Sequence, residues 1–270
     1  MPELPEVEAV RQLLLPVMRA RRIERVTLHR DGLRRRFDPD FADVVEGQRI
    51  DDIVRRGKHL LVQLGSGDVV ALHLGMSGDF RVEPKGPLPD ERRLKHDHVV
   101  IELATGTVVF SDPRRFGAMD LLRRGAVSDA IAAMGPEPLS PDFTPEALAR
   151  ALAGRRTAIK VALLDQRVVA GVGNIYASEA LHHAGISPRR PATALVTPGG
   201  RPRPTAVRLA AGIRAVLTQA IARHETAYRA GRFRVYEREG RPCPRRSCGG
   251  VVARLVQAGR STYYCPRCQR

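Results

Sequence analysis

All four cysteines of this 270-residue chain fall in its last 28 residues, as Cys243 and Cys248 and then Cys265 and Cys268. The 16 residues between the pairs read as a hairpin, with strand-like segments at 251–256 and 261–264 on either side of Gly259. Two cysteine pairs closing the ends of a hairpin give the tetrahedral thiolate set of one structural Zn2+. Disulfides are the competing reading, disfavoured in a reducing cytoplasm. Four thiolates saturate the metal and leave it no open position for catalysis. Its job is then to hold a small, arginine-rich hairpin that cannot build its own core. Arg260, following Gly259 at the tip, is the side chain most exposed to a ligand.

The charge names the class of partner. A formal net charge of +16 points to a polyanion, most simply nucleic acid. It is unevenly placed: Glu239 is the last acidic residue, and seven arginines follow it. Lysine occurs only at 58, 85, 95 and 160, an arginine skew that genomic base composition can produce. No run of about 18 apolar residues and no basic-apolar leader is present, so the expectation is a soluble, intracellular protein with no membrane partner; it is expected to be a monomer.

Periodicity divides the rest. A first helix is predicted over 3–19, with Pro16 expected to kink or end it. Short β-rich segments follow at 23–28, 49–55, 59–64, 69–73, 99–103, 108–110 and 118–122, which reads as an antiparallel sandwich. The proline-rich stretch 135–141 marks a linker, and 145–152, 157–164, 174–184 and 204–223 read as helices, with a short strand at 234–236. The expected fold class is α+β and multidomain: an N-terminal β-sandwich with its helix over 1–133, a helical domain over 134–234 and a zinc hairpin over 235–270.

Several places carry chemistry. Removal of Met1 would leave Pro2 with a secondary amine, a nucleophile able to form an iminium with an aldehyde-like carbon. An α-amino group has a reference pKa of about 7.7–8.0, so a useful fraction is unprotonated near neutrality. Glu3 stands one residue away, where a general acid or base is wanted. An ordinary helix start also accounts for Pro and Glu in these positions. In Gly171-Val172-Gly173-Asn174, Asn174 is expected to cap a helix whose free amides can hold a phosphate, with Lys160 in reach of the same anion. Met76 and Phe116 lie in glycine-bounded loops, where they either fill the core or wedge into a base stack. Lys95-His96-Asp97-His98 has the composition of a metal site, but strand alternation puts Asp97 opposite the two histidines, so a triad is not expected.

Taken in order, MPELPEVE at the start, RRGKHLL (55–61), HLGMSG (73–78), KHDHV (95–99), DPRRFGAM (112–119), TAIK (157–160), GVGNIYASEAL (171–181) and the terminal cysteine hairpin resemble bacterial formamidopyrimidine-DNA glycosylase, also called 8-oxoguanine DNA glycosylase. The resemblance covers nearly the whole chain. It implies an N-terminal β-sandwich, a helix–two-turns–helix domain and a zinc finger. The implied reaction is removal of an oxidised base followed by β,δ-elimination, on double-stranded DNA containing oxidised bases or abasic sites. Pro2 would attack C1′ of the deoxyribose, and Glu3 would be the general acid/base. Lys58 would assist β-elimination, and Arg260 the δ step. Met76, Arg114 and Phe116 would fill the void left by the flipped lesion, with Arg114 facing the orphaned base. His96, Arg155, Lys160 and Asn174 would contact phosphate or DNA. Extrusion and void filling are what chemistry at C1′ inside a duplex demands.

Two departures from the family pattern stand out. The connection 224–233 is about ten residues shorter than the glycine-rich segment that in the family closes over the flipped base, which bears on lesion preference. The first cysteine pair is separated by four residues where two are typical, a spacing still compatible with zinc. The alternatives are an endonuclease VIII-like enzyme for oxidised pyrimidines, towards which the short connection leans, and a non-catalytic zinc-containing binder of damaged DNA, against which Pro2 and Glu3 argue.

Overall fold

The computed structural model describes residues 2–223 and 233–270. Met1 and nearly all of the short 224–233 connection lie outside the described residues. Contacts group the chain into two units, one ending at Ala132 and one beginning at Ala133.

The first unit opens with α1 (Leu4–Met18), started by a reciprocal capping box between Glu3 and Glu6. Its Val7, Val10, Leu14 and Met18 are buried. Pro16 does not end the helix at once: it forfeits the one bond its missing N–H would make, but α1 runs on to Met18 and the Arg19 N–H still reaches the Leu15 carbonyl at 3.0 Å. Strand β1 (Ile23–Leu28), helix α2 (Phe41–Val45), then β2 (Ile50–Arg56), β3 (His59–Leu64), β4 (Val69–His73), β5 (Asp79–Glu83), β6 (Asp97–Leu103), β7 (Gly106–Ser111) and β8 (Ala118–Leu122) follow. They form two four-stranded antiparallel sheets of order β1-β6-β7-β5 and β2-β3-β4-β8. Val26, Val99 and Phe110 of the first sheet share one apolar core with Ile53, Leu60 and Leu72 of the second, the sandwich expected.

Strand β5 was not foreseen, although Phe80 and Val82 alternate with charged residues. Its Arg81 forks onto the buried Asp97 carboxylate with two bonds of 2.6 Å. The alternation expected for Lys95–His98 fails as well. Strand β6 begins only at Asp97 and shifts register before Val99, so Asp97 and His98 are both buried. Each is otherwise engaged, His98 through Nε2 to the Asp112 carbonyl at 2.9 Å.

The second unit contains α3's successors in the chain: after α3 (Asp129–Ala132), which closes the first unit, come α4 (Pro145–Leu152), α5 (Ile159–Leu164), α6 (Asn174–Ala184) and α7 (Pro204–Ile221). The hairpin β9 (Ala253–Gln257) and β10 (Arg260–Tyr264) follows. Ala258 and Gly259 both have positive φ (47° and 71°), which suits the tight two-residue turn between these strands. Arg260 is therefore the first residue of β10, paired with Gln257, and it is exposed. Residues 234–236 are not a strand. Their three backbone N–H groups all donate to the buried Glu179 carboxylate of α6, at 2.9, 2.9 and 3.0 Å, which leaves no donor for a ladder. Among the described residues no helix is long and apolar enough to cross a membrane.

Candidate active site and zinc centre

In the first unit, Pro2 is half-buried just ahead of α1, and Glu3 is 1% exposed at the helix cap, its N–H donating to Glu6 Oε2 at 2.9 Å. Helix α1 is stitched to β2. Glu8 accepts from Arg11 at 2.7 Å and from Arg55 at 3.0 Å, and Arg55 donates to the Gly57 carbonyl at 3.2 Å. The helix start and the turn bearing Lys58 thus share one end of the sandwich. Lys58 is buried, 7% exposed.

Across β3 and β4, His59 and His73 are partners with ring centroids 4.8 Å apart. Burial above all, then the charges of His59, Lys58, Arg34 and Arg35, lowers the His73 pKa from 6.5 to about 4. Its Nδ1 accepts from the Gly75 N–H at 3.0 Å. Because the folded pKa lies below the unfolded one, the unfolded chain takes up the proton first as pH falls. Stability is expected to drop by up to about 3 kcal/mol between the two pKa values, on the scale of 1.36 kcal/mol per unit. Thermal midpoints followed from neutrality down towards pH 4 should show a shallower loss for His73→Gln than for the wild type.

The loops around Met76 and Phe116 are locked to each other. Asp112, fully buried, accepts from Ser77 Oγ at 2.5 Å and from the Gly117 N–H at 2.7 Å. A Cβ on Gly75 would lie 2.3 Å from the Phe116 carbonyl carbon, so the loops approach backbone to backbone. Upon this base Met76 and Phe116 are each 43% exposed, and the Arg114 guanidinium stacks 4.7 Å from the Phe116 ring centre. Neither apolar side chain is core. The geometry brings this trio together, and Asp112, which sequence reasoning overlooked, is what holds its base. His96 lies in the turn before β6, where its carbonyl accepts from the Asp112 N–H at 3.0 Å.

In the second unit, Gly173 rather than Asn174 is the cap of α6, because Asn174 already has helical geometry as its first residue. Lys160 is fully buried, with Nζ 2.5 Å from Asn174 Oδ1. Asn174 Nδ2 in turn donates to the Ser261 carbonyl of β10 at 3.0 Å. Lys160 therefore acts on Asn174, not on solvent. Arg155 is half-buried and pairs with Asp165 at 2.9 Å. Hydrogen bonds from Arg167, with Arg155 adding to them against burial, hold the Asp165 pKa down at about 2. Glu179 lies beside an open hollow of about 910 Å³ lined by Tyr176, Arg214, Arg223 and Phe233. Only its position within Gly171–Leu181 was visible beforehand.

The sulfurs of Cys243, Cys248, Cys265 and Cys268 all lie within 4.8 Å of one another. The pairs Cys243–Cys268 and Cys248–Cys265 stand at 3.8 and 3.6 Å. Tetrahedral Zn–S bonds of about 2.3 Å require sulfur separations near these values, so the donor set fits zinc in number, type and size.

Three family profiles match the chain: formamidopyrimidine-DNA glycosylase N-terminal domain over residues 1–119, formamidopyrimidine-DNA glycosylase H2TH domain over 134–230, and zinc finger found in FPG and IleRS over 240–270. The chain belongs to the formamidopyrimidine-DNA glycosylase family. The formamidopyrimidine-DNA glycosylase of Rhodopseudomonas palustris strain BisA53 is 49% identical over 293 aligned residues, and that of Bradyrhizobium sp. strain BTAi1 48%, each covering 100% of both chains. The crystal structure of the MutM (Fpg) protein from Thermus thermophilus matches with TM-score 0.84 and 39% identity over 99% of this chain and 98% of its own. Wild-type Lactococcus lactis Fpg, solved in complex with oxidized pyrimidine containing DNA, matches with TM-score 0.85 and 30% identity over 100% of both chains. As a formamidopyrimidine-DNA glycosylase family member the chain is a DNA glycosylase and AP lyase of base excision repair, and its four cysteines hold one structural zinc.

Proposed function

We propose that the protein excises oxidised purines (formamidopyrimidines and 8-oxoguanine) from double-stranded DNA, using the Pro2 amine as nucleophile. The observation that carries this is Pro2 and the buried Glu3 at the head of α1, on the end of the sandwich that bears Lys58. The amine attacks C1′, the base departs with a proton supplied through Glu3, and the opened sugar becomes an iminium on Pro2. Loss of the C2′ proton, assisted by Lys58, expels the 3′ phosphate. The δ step, assisted by Arg260, expels the 5′ phosphate, and hydrolysis returns the free amine. Met76, Arg114 and Phe116 fill the vacated stack. His96, Arg155 and Asn174 hold phosphates, with Lys160 setting the Asn174 amide. Segments 1–133, 134–234 and 235–270 supply chemistry, helical grip and hairpin grip respectively. The enzyme acts as a monomer in the bacterial cytoplasm, on the nucleoid.

Borohydride trapping on a duplex containing 8-oxoguanine tests this reading: a covalent adduct supports it, and tight binding without adduct would leave only a binder of damaged DNA. The same assay with thymine glycol measures the second reading, activity on oxidised pyrimidines. The short 224–233 connection favours some of that activity, as does the complex of the Lactococcus lactis relative with oxidized pyrimidine containing DNA.

The arginine and lysine contacts separate by salt dependence. Lys58→Ala and Arg260→Ala should each lower the slope of log affinity against log salt by up to about 0.9. Lys160→Met should weaken binding with little change of slope, because its ammonium is buried behind Asn174. Arg114→Ala should relax discrimination of the base opposite the lesion. Unchanged opposite-base preference would remove Arg114 from that role.

A further inference from the structure

Metal-bound sulfurs are tuned by the groups that donate hydrogen bonds to them. Beside the backbone N–H groups of Arg245, Arg267 and Cys268, a side chain takes this place too. His182, 1% exposed in α6, places Nε2 3.4 Å from Cys243 Sγ. Its Nδ1 is buried and has no hydrogen-bond partner among the described residues. A neutral imidazole carries a single N–H. With nothing for Nδ1 to donate to, that proton belongs on Nε2, directed at a sulfur that is an acceptor once it is a thiolate.

The surrounding contacts keep the two groups in register. Arg245, inside the four-residue knuckle between Cys243 and Cys248, donates to the His182 and His183 carbonyls at 2.7 and 3.1 Å. It thereby gives the His183 carbonyl a donor at the C-terminal end of α6 and adds a second one to the His182 carbonyl, which also accepts from the Gly185 N–H at 3.1 Å. On the other knuckle, Gln269 accepts from the Cys265 N–H at 2.7 Å and donates to the Ile186 carbonyl at 3.0 Å. Both knuckles are thus bonded to the end of α6 or to the residues just after it.

We propose that His182 is an outer-sphere partner of the zinc centre, donating Nε2–H to the Cys243 thiolate and slowing release of the metal. A donor at the sulfur occupies a thiolate lone pair that does not face the metal and holds Cys243 in the orientation the metal needs. Arg245 holds the helix end so that this donor stays aimed. The proposal rests on the zinc assignment, so zinc per chain is measured first on the wild type. A value near zero would overturn that assignment and with it the setting for His182.

The test compares wild type with His182→Phe, His182→Leu and His182→Gln, each folded and metal-loaded. Two quantities are read: the rate of zinc transfer to excess 4-(2-pyridylazo)resorcinol, and the thiolate-to-metal charge-transfer band of the cobalt-substituted protein. Loss of the donor in the Phe and Leu variants should speed transfer about 10- to 100-fold and shift the band, the scale seen for outer-shell partners elsewhere. His182→Gln, which keeps an N–H donor, should restore most of the wild-type rate. Using both Phe and Leu prevents a packing defect peculiar to one side chain from deciding the outcome. Wild-type rates and an unshifted band in both, or a Gln variant as fast as Phe, would overturn the proposal.

Discussion

A preparation that retains Met1 will bind an 8-oxoguanine duplex and form no borohydride-stable adduct with it. Acylation turns the Pro2 nitrogen into an amide, whose lone pair is committed to the carbonyl. Duplex affinity should survive, since no phosphate contact is lost. Intact mass establishes whether Met1 is present, and full activity in a preparation that keeps it would sink the mechanism. Pro2→Gly should also strongly reduce excision, because it makes the amine primary and alters its placement. Glu3→Gln separates chemistry from architecture. A glutamine oxygen can still accept at the α1 cap, so the capping box with Glu6 should persist. Loss of the proton shuttle alone should slow base excision by about 10²- to 10⁴-fold.

The second large effect is expected at the zinc. Cys265→Ser or Cys268→Ser should lower zinc content, unfold the β9–β10 hairpin and weaken DNA binding together, because a structural zinc is worth about 10 kcal/mol or more to a fold of this size. The damage should spread to the end of α6, which the knuckles cover through Arg245 and Gln269. It should also reach Asn174, whose amide is held by the Ser261 carbonyl on β10. Zinc loss with duplex affinity and strand cleavage intact would show that Arg260 on this hairpin grips nothing.

Much of this molecule is readable before it is folded, and the reasons are local. Strand β3 and strand β4 are short β-branched and leucine-rich runs set off by Gly65 and Gly67, so period and punctuation agree. The cysteines identify their own site because two close pairs at the ends of one short hairpin are local in sequence and suit a tetrahedral zinc. What escaped depends on partners distant in sequence. Strand β5 is five residues long with only two apolar positions, and its identity rests on pairing with β7. Lys160 reads as a free cation until α6 brings Asn174 against it, 14 residues on. Met76 and Phe116 have core composition, and only the Asp112 tether between their loops turns them outward. Glu179 looked like one more polar helix residue, since its three donors lie 55 to 57 positions away.

That same carboxylate makes chain length a free variable at one place in the enzyme. Residues 234–236 are fastened to α6, and the preceding helix α7, which ends at Ile221, packs against the same helix, so the elements on both sides of the shortened segment are tied to α6. Insertions between two such anchors cost little, about 0.6 kcal/mol per doubling of a flexible loop. A lineage can therefore trim or lengthen the part expected to lie over an extruded base while the amine, the wedge and the metal stay where they are. On the proposed reading, lesion range is then a trait that evolves by splicing a loop rather than by rebuilding a pocket.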